Sequence, residues 1–110
     1  MIRIDFKEAE IRGTRVTVVE ICKHREGNID DQSVYQRLKQ LAESGLPTVF
    51  RIRYVEESGM ALSVTRFWLR HAPRLIVETP DTLARFALDI AHGERVICIN
   101  SLEEALDLKT

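Results

Sequence analysis

The sequence predicts an α/β fold, one domain over residues 1–110, with a mostly parallel sheet and an antiparallel amino-terminal hairpin edge, in the order ββαβαβαβα. Three observations predict it. The chain opens with two strand-like segments joined by Arg12-Gly13-Thr14. From the second segment onward, apolar runs of strand length alternate with stretches of helical periodicity. Short Gly, Pro, Ser and Asp punctuation separates them. Such alternation implies parallel strands joined by right-handed crossovers, and a chain of this length supplies one hydrophobic core.

Ile2 to Glu10 sets Ile2, Ile4 and Phe6 against Arg3, Asp5 and Lys7, the period of a strand with one wet face. Val16 to Cys22 is rich in β-branched residues and pairs with it as a hairpin. The charged segment Lys23-His24-Arg25-Glu26-Gly27 reads as a loop. Asp30 or Asp31 caps the next element, in which Val34, Leu38 and Leu41 recur at helical spacing, and Ser44-Gly45 stops it. Leu46 to Ile52 is a short strand with its proline at the start, where a missing donor is tolerated.

The helix expected from about Met60 to His71 has a broad apolar face of Met60, Ala61, Val64, Phe67 and Trp68, and Pro73 lies beyond its end. Leu75-Ile76-Val77 has the continuous apolarity of a strand covered on both faces. Thr79-Pro80-Asp81 suits a helix start, and the face formed by Leu83, Phe86, Ala87 and Ile90 is the expected inner one. His92-Gly93 closes that helix, and Arg95 to Ile99 is a last strand. Ser101-Leu102-Glu103-Glu104 has the spacing of a capping box opening a short terminal helix.

Composition narrows the function classes. With 45% apolar and 30% charged residues the chain is globular, and a net charge of -1 argues against bulk capture of nucleic acid. The local basic set Arg51, Arg53, Arg66, Arg70 and Arg74 reads as solvated helix and strand edges. No apolar run has the length of a membrane span and Met1 to Asp5 is unlike a secretory signal, so no membrane partner is expected and the expected compartment is the cytoplasm. Cys22 and Cys98, distant in sequence and set in apolar runs, are expected as buried thiols.

No motif calls for catalysis, a metal or a cofactor. There is no glycine-rich loop around a lysine to cradle phosphate, and no G-x-G-x-x-G. His24, His71 and His92 are scattered, without a second ligand at i+3 or i+4, and the last two are expected to complement helix dipoles. Glu56 and Glu57 are adjacent, so on a regular strand they point apart.

The stretch that stands out is Glu56-Glu57-Ser58-Gly59-Met60, where a strand gives way to a helix. A serine at such a junction satisfies free amides of the first helical turn, and a glycine lets a partner approach; a plain helix cap is the structural alternative. In sheets of this class, partner sites collect on the loops after the carboxyl ends of the strands, where Asp30, Ser58 and Thr79 all fall.

Two local patterns and the chain's ending carry a family resemblance. Gly27-Asn28-Ile29-Asp30 resembles the G-x-[IL]-D segment of the STAS domains, the family of anti-sigma factor antagonists and sulfate transporter tails. Glu56 to Met60 is similar to that family's D-[ST]-[ST]-G-[LIM] motif, and Ser101 to Leu106 to its S-x-E-E-A-L ending. The motif diverges: Glu56 stands for the aspartate and Glu57 for the first hydroxyl, while Ser58 and Gly59 match. The usual D-L-S-x-V before the motif has no clear counterpart in Arg51-Ile52-Arg53.

The resemblance implies a protein-binding regulatory module and no enzyme activity. It implies phosphorylation at Ser58 by a serine kinase that is also the anti-sigma factor, and a partner surface on Asp30, Glu56, Glu57, Ser58, Gly59 and Met60. A second implication follows from Glu57, whose carboxylate makes the site permanently acidic, as in a constitutive, non-phosphorylated scaffold. A small ligand-binding domain or enzyme using the same crevice is a third, weaker reading. The partner's identity and the oligomeric state are not legible in the residues.

Overall fold

The computed structural model describes residues 2–23, 31–52, 58–80 and 82–107. The elements are β1 (Ile2–Ile11), β2 (Thr14–Lys23), α1 (Asp31–Ser44), β3 (Thr48–Ile52), α2 (Ser58–His71), β4 (Leu75–Glu78), α3 (Thr82–His92), a 3-10 turn (Gly93–Arg95), β5 (Val96–Ile99) and α4 (Glu104–Asp107). The fold is α/β in the expected order. One five-stranded sheet runs β1-β2-β3-β4-β5, antiparallel between β1 and β2 and parallel thereafter.

The hairpin turn is a two-residue loop. Ile11 pairs with Thr14, and both Arg12 (φ 51°) and Gly13 (φ 79°) lie in the left-handed region. Positive φ at both central residues gives the backbone twist that matches flanking strands, and glycine adopts it without the Cβ clash that Arg12 must tolerate.

The three crossover helices pack on one face of the sheet. Val19 and Ile21 of β2, Phe50 and Ile52 of β3, and Leu75 and Val77 of β4 meet Leu38 of α1, Val64, Trp68 and Leu69 of α2, and Leu88 of α3 in one buried cluster. The strands contribute alternate residues and the helices contribute i, i+4 rows, as the two periodicities require. At the centre, the Phe50 and Trp68 rings meet edge to face with centroids 5.3 Å apart, an arrangement the ring quadrupoles favour. The rim over β1 is closed by Arg37 of α1, whose guanidinium lies 4.3 Å from the Phe6 ring centroid.

The carboxyl end of α2 is tied down by side chains. Trp68 Nε1 donates to the Arg74 carbonyl (2.9 Å), and the Arg95 guanidinium donates to the carbonyls of Leu69, Ala72 (3.3 Å) and Pro73 (3.4 Å). The orphan acceptors of a helix end thus receive donors, one of them a cation suited to the negative end of the dipole.

The opposite face is treated differently. Ile11, Val16, Val49 and Ile99 form a smaller cluster, with Ile76, Ile97, Leu102 and Ala105 packed against it. The capping-box spacing finds its partner here: the Glu104 carboxylate accepts the backbone N–H of Ser101 (3.1 Å) and of Asn100 (2.5 Å), fixing the short terminal helix after β5.

Helix α3 departs from expectation. Its buried residues are Ala84 and Leu88, whereas Leu83, Phe86 and Ile90 are 64%, 64% and 70% exposed and Ala87 is intermediate. The apolar surface of α3 is wide. Successive residues are about 100° apart, so the Ala84–Leu88 row lies roughly 150° around the helix from the centre of the Leu83–Phe86–Ile90 row, with Ala87 between them. The helix turns the Ala84–Leu88 stripe to the core and leaves Leu83, Phe86 and Ile90 exposed. Sequence periodicity fixes the breadth of such a face, and packing fixes its rotation.

Two substitutions separate these stripes. Leu88→Ala is expected to cost about 2 to 5 kcal/mol in urea unfolding, and Ile90→Ser to change stability by no more than about 0.5 kcal/mol. The opposite ranking would place the core on the other stripe.

Candidate functional site

The parallel strands β2 to β5 all end on the same edge of the sheet, and the loops leading into α1, α2 and α3 leave from it. Ser58, Gly59 and Met60 form the first turn of α2, two residues earlier than the periodicity suggests, and are described at the level of the backbone. The start at Ser58 puts this serine where the unpaired amides of the helix and the positive end of its dipole lie. No acidic residue stands in that first turn, while Arg70 and His71 occupy the last. Asp30, Glu56 and Glu57 lie outside the described residues, as do His24 and Arg53.

A row of charges runs across the sheet beneath this edge. Register pairs Glu20 of β2 with Arg51 of β3, and Arg51 with Glu78 of β4. Arg51 Nε donates to Glu78 Oε1 at 2.9 Å and Nη2 to Oε2 at 3.4 Å, while Nη1 reaches Glu20 Oε2 at 3.5 Å. Lys7 Nζ of β1 contacts Glu20 Oε1 at 3.3 Å. Four adjacent strands are therefore joined by alternating charges. Glu20 is the most enclosed, its side chain 7% exposed against 18% for Glu78 and 22% for Arg51.

The hydrogen bonds to Glu78 hold the Arg51 guanidinium above its ordinary value, against the opposing effect of burial, with the charges of Glu78 and Glu20 adding to the rise. A planar, bidentate donor suits this position, since one arginine serves carboxylates on both neighbouring strands.

Next along the edge, Thr79 is buried. Arg85 of α3 donates from Nε to the Thr79 carbonyl (2.9 Å), and from Nη2 to the Ile99 carbonyl (3.2 Å) and Asn100 Oδ1 (2.5 Å). Arg85 thus holds the connections after β4 and β5 to each other.

No family model, characterised protein or solved structure matches this chain.

The remaining candidate groups resolve as follows. His92 meets the fully buried Thr65 hydroxyl of α2, Nε2 to Oγ1 2.9 Å. Burial pushes its imidazole down, and Arg66 and Arg95 push the same way. This corrects the expectation of a charged histidine at the end of α3: His92 favours the neutral form and bridges α2 to α3. His71 Nδ1 lies 3.7 Å from Glu43 Oε1, linking α2 to α1. Cys98 is a free thiol of intermediate exposure, less enclosed than expected. Burial raises it, Arg85 opposing and Asp89 adding. No helix among the described residues is long and apolar enough to cross a membrane.

Arg51, Glu20 and Glu78 carry a signal that a residue-type scan overlooks. Each is a single charge at the same alternation phase of an apolar strand, Val18-Val19-Glu20-Ile21, Phe50-Arg51-Ile52 and Ile76-Val77-Glu78. Opposite charges in phase on neighbouring strands form cross-strand pairs once the strand order is known.

Two outcomes are expected. Arg51→Ala removes the cation that Glu78 engages and one of those that Glu20 engages, and costs about 2 to 3 kcal/mol in urea unfolding; adding Glu78→Gln in that background recovers part of the loss. Strict additivity would show that the carboxylates do not repel. The folded-state pKa of His92 lies below its unfolded value of about 6.5, so its contribution is fully present above about pH 6.5 and is lost as pH falls through the folded value. Urea midpoints should therefore fall more steeply between about pH 7 and pH 5 in the native protein than in His92→Gln. Parallel profiles would remove His92 from that dependence.

Proposed function

We propose that the chain is a protein-binding regulatory module of the STAS kind, an anti-sigma factor antagonist acting at the amino end of α2, with Ser58 as phosphate acceptor. Asp30, Glu56, Glu57, Ser58, Gly59 and Met60 form its docking surface. The observation that carries this reading is the strand order. Small-molecule sites in open α/β sheets sit in the crevice where the winding of successive strands reverses. The order β1-β2-β3-β4-β5 has no reversal. Its carboxyl edge is a row of loops and helix starts, suited to docking against another protein, and Ser58 opens the middle crossover helix of that row.

A phosphate on Ser58 meets two opposing effects. The amino end of α2 favours it by about 0.3 to 1 kcal/mol, and the flanking Glu56 and Glu57 disfavour it. Fold stability therefore changes little, and the main effect falls on the interface, where up to two added negative charges repel an acidic partner surface. The expected partner is a kinase-type anti-sigma factor, in the cytoplasm.

Glu57 favours a second reading. A carboxylate already stands where the family resemblance expects a hydroxyl, which fits a constitutive scaffold with no phosphate switch.

Phosphate-affinity electrophoresis of the protein from its native cell distinguishes the two. The switch reading expects one retarded band, abolished by Ser58→Ala. The scaffold reading expects no retarded band and unchanged partner capture by Ser58→Ala. Turnover of a small molecule, with no kinase-like or sigma-related protein recovered, would overturn both.

A further inference from the structure

The outer surfaces of α1 and α2 enclose a groove away from the sheet, with a volume of about 730 Å³. Tyr35 and Lys39 line it from α1, and Ser63, Arg66, Phe67 and Arg70 from α2. Both helices return antiparallel to the strands they connect, so they run side by side in the same direction. The first described residues that line it, Tyr35 and Ser63, lie a little over one turn inside each helix.

Its floor is aromatic and its rim is basic. Tyr35 and Phe67 meet edge to face with centroids 4.7 Å apart, and Phe67 is tilted against His71 at 4.9 Å. Among the described residues, three cations line the groove and no carboxylate does. Lys39 has Glu43 at 4.0 Å, and His71 takes the same Glu43 oxygen. Arg66 and Arg70, one helical turn apart and both exposed, have no ion pair among the described residues. In a chain of net charge -1, this is a local excess of positive charge over an apolar strip.

We infer that this groove docks an acidic amphipathic helix of a partner protein. Its apolar residues lie on Tyr35 and Phe67, and carboxylates at i, i+4 engage Arg66 and Arg70, with Lys39 on the opposite rim. The observations favour this occupant over nucleic acid. Three cations beside an aromatic strip make a compact footprint, whereas a phosphate backbone is held by a longer basic track and an overall positive domain. Two parallel helices with an apolar seam also offer the surface on which a third helix packs in helix-in-groove recognition. The inference is independent of Ser58: the groove residues lie deeper along α1 and α2, and docking there requires no phosphate.

The test is an NMR titration of the full chain with a synthetic helix of about three turns carrying Glu at i, i+4 and Leu or Phe along one stripe. Saturable shifts at Ser63, Arg66, Phe67 and Arg70 are expected, weakening as salt is raised. Arg66→Glu with Arg70→Glu should reduce affinity at least about tenfold, and Lys39→Glu less. Urea unfolding of each variant establishes that it is folded, and both sites are exposed. A peptide with Gln for every Glu should lose the binding. The inference is overturned by absence of saturable shifts, by equal binding of the Gln peptide, by binding that survives charge reversal in folded variants, or by a single-stranded oligonucleotide occupying the groove more tightly than the peptide. None of these outcomes alters the Ser58 electrophoresis result, so the two readings fail separately.

Discussion

The structure depends on the constraint that all three crossover helices share one face of the sheet. Strands laid down in chain order with one crossover hand leave no alternative. That face acquires a continuous core around Phe50 and Trp68, and the other must be made compatible with water without a helical layer of its own. The solution is divided along the strands. Towards the amino ends of β2 and β3 there is a small apolar cluster that includes Val16 and Val49, with Leu102 and Ala105 from the carboxyl-terminal segment packed on the whole cluster. Towards the carboxyl ends, Glu20, Arg51 and Glu78 take over. An ionic row there tolerates contact with solvent, and it locks lateral register, since a one-residue slip of β3 would send Arg51 to the apolar face.

Much of the fold was legible because its signals are local. Strand and helix order, the Arg12-Gly13 turn, the α1 face of Val34, Leu38 and Leu41, and the Ser101–Glu104 spacing all depend on residues within a few positions of each other. What was not legible depends on neighbours distant in sequence. The rotation of α3 is decided by what lies beside it. The charge state favoured by His92 is decided by its burial and then by Arg66 and Arg95, none of which a helix-end rule consults. The role of Arg51 required the strand order. For the site, the position of Ser58 at a helix start could be read from residue chemistry, because capping residues announce themselves. Phosphorylation of a serine so placed depends on a partner, which no local pattern encodes.

The net charge of -1 conceals a division of surface. Glu56 and Glu57 immediately precede α2 in sequence, while further along the same helix Arg66 and Arg70 are positive and without an ion pair among the described residues. Charges of opposite sign at successive places along one stretch of sequence can select partners by orientation as well as by contact, since a molecule with the complementary polarity fits in one direction only.

The unbroken strand order also bears on how the molecule comes into being. Every strand pairs with the one before it, so the sheet can grow by accretion as the chain leaves the ribosome: first a hairpin, then one helix-and-strand unit at a time on a template already present. In that order β4 pairs with β3 only after α2, which begins with Ser58, has been made. The segments after Glu78 then close on what is already there: Arg95 on the carboxyl end of α2, His92 on Thr65, and Leu102 and Ala105 on the opposite face.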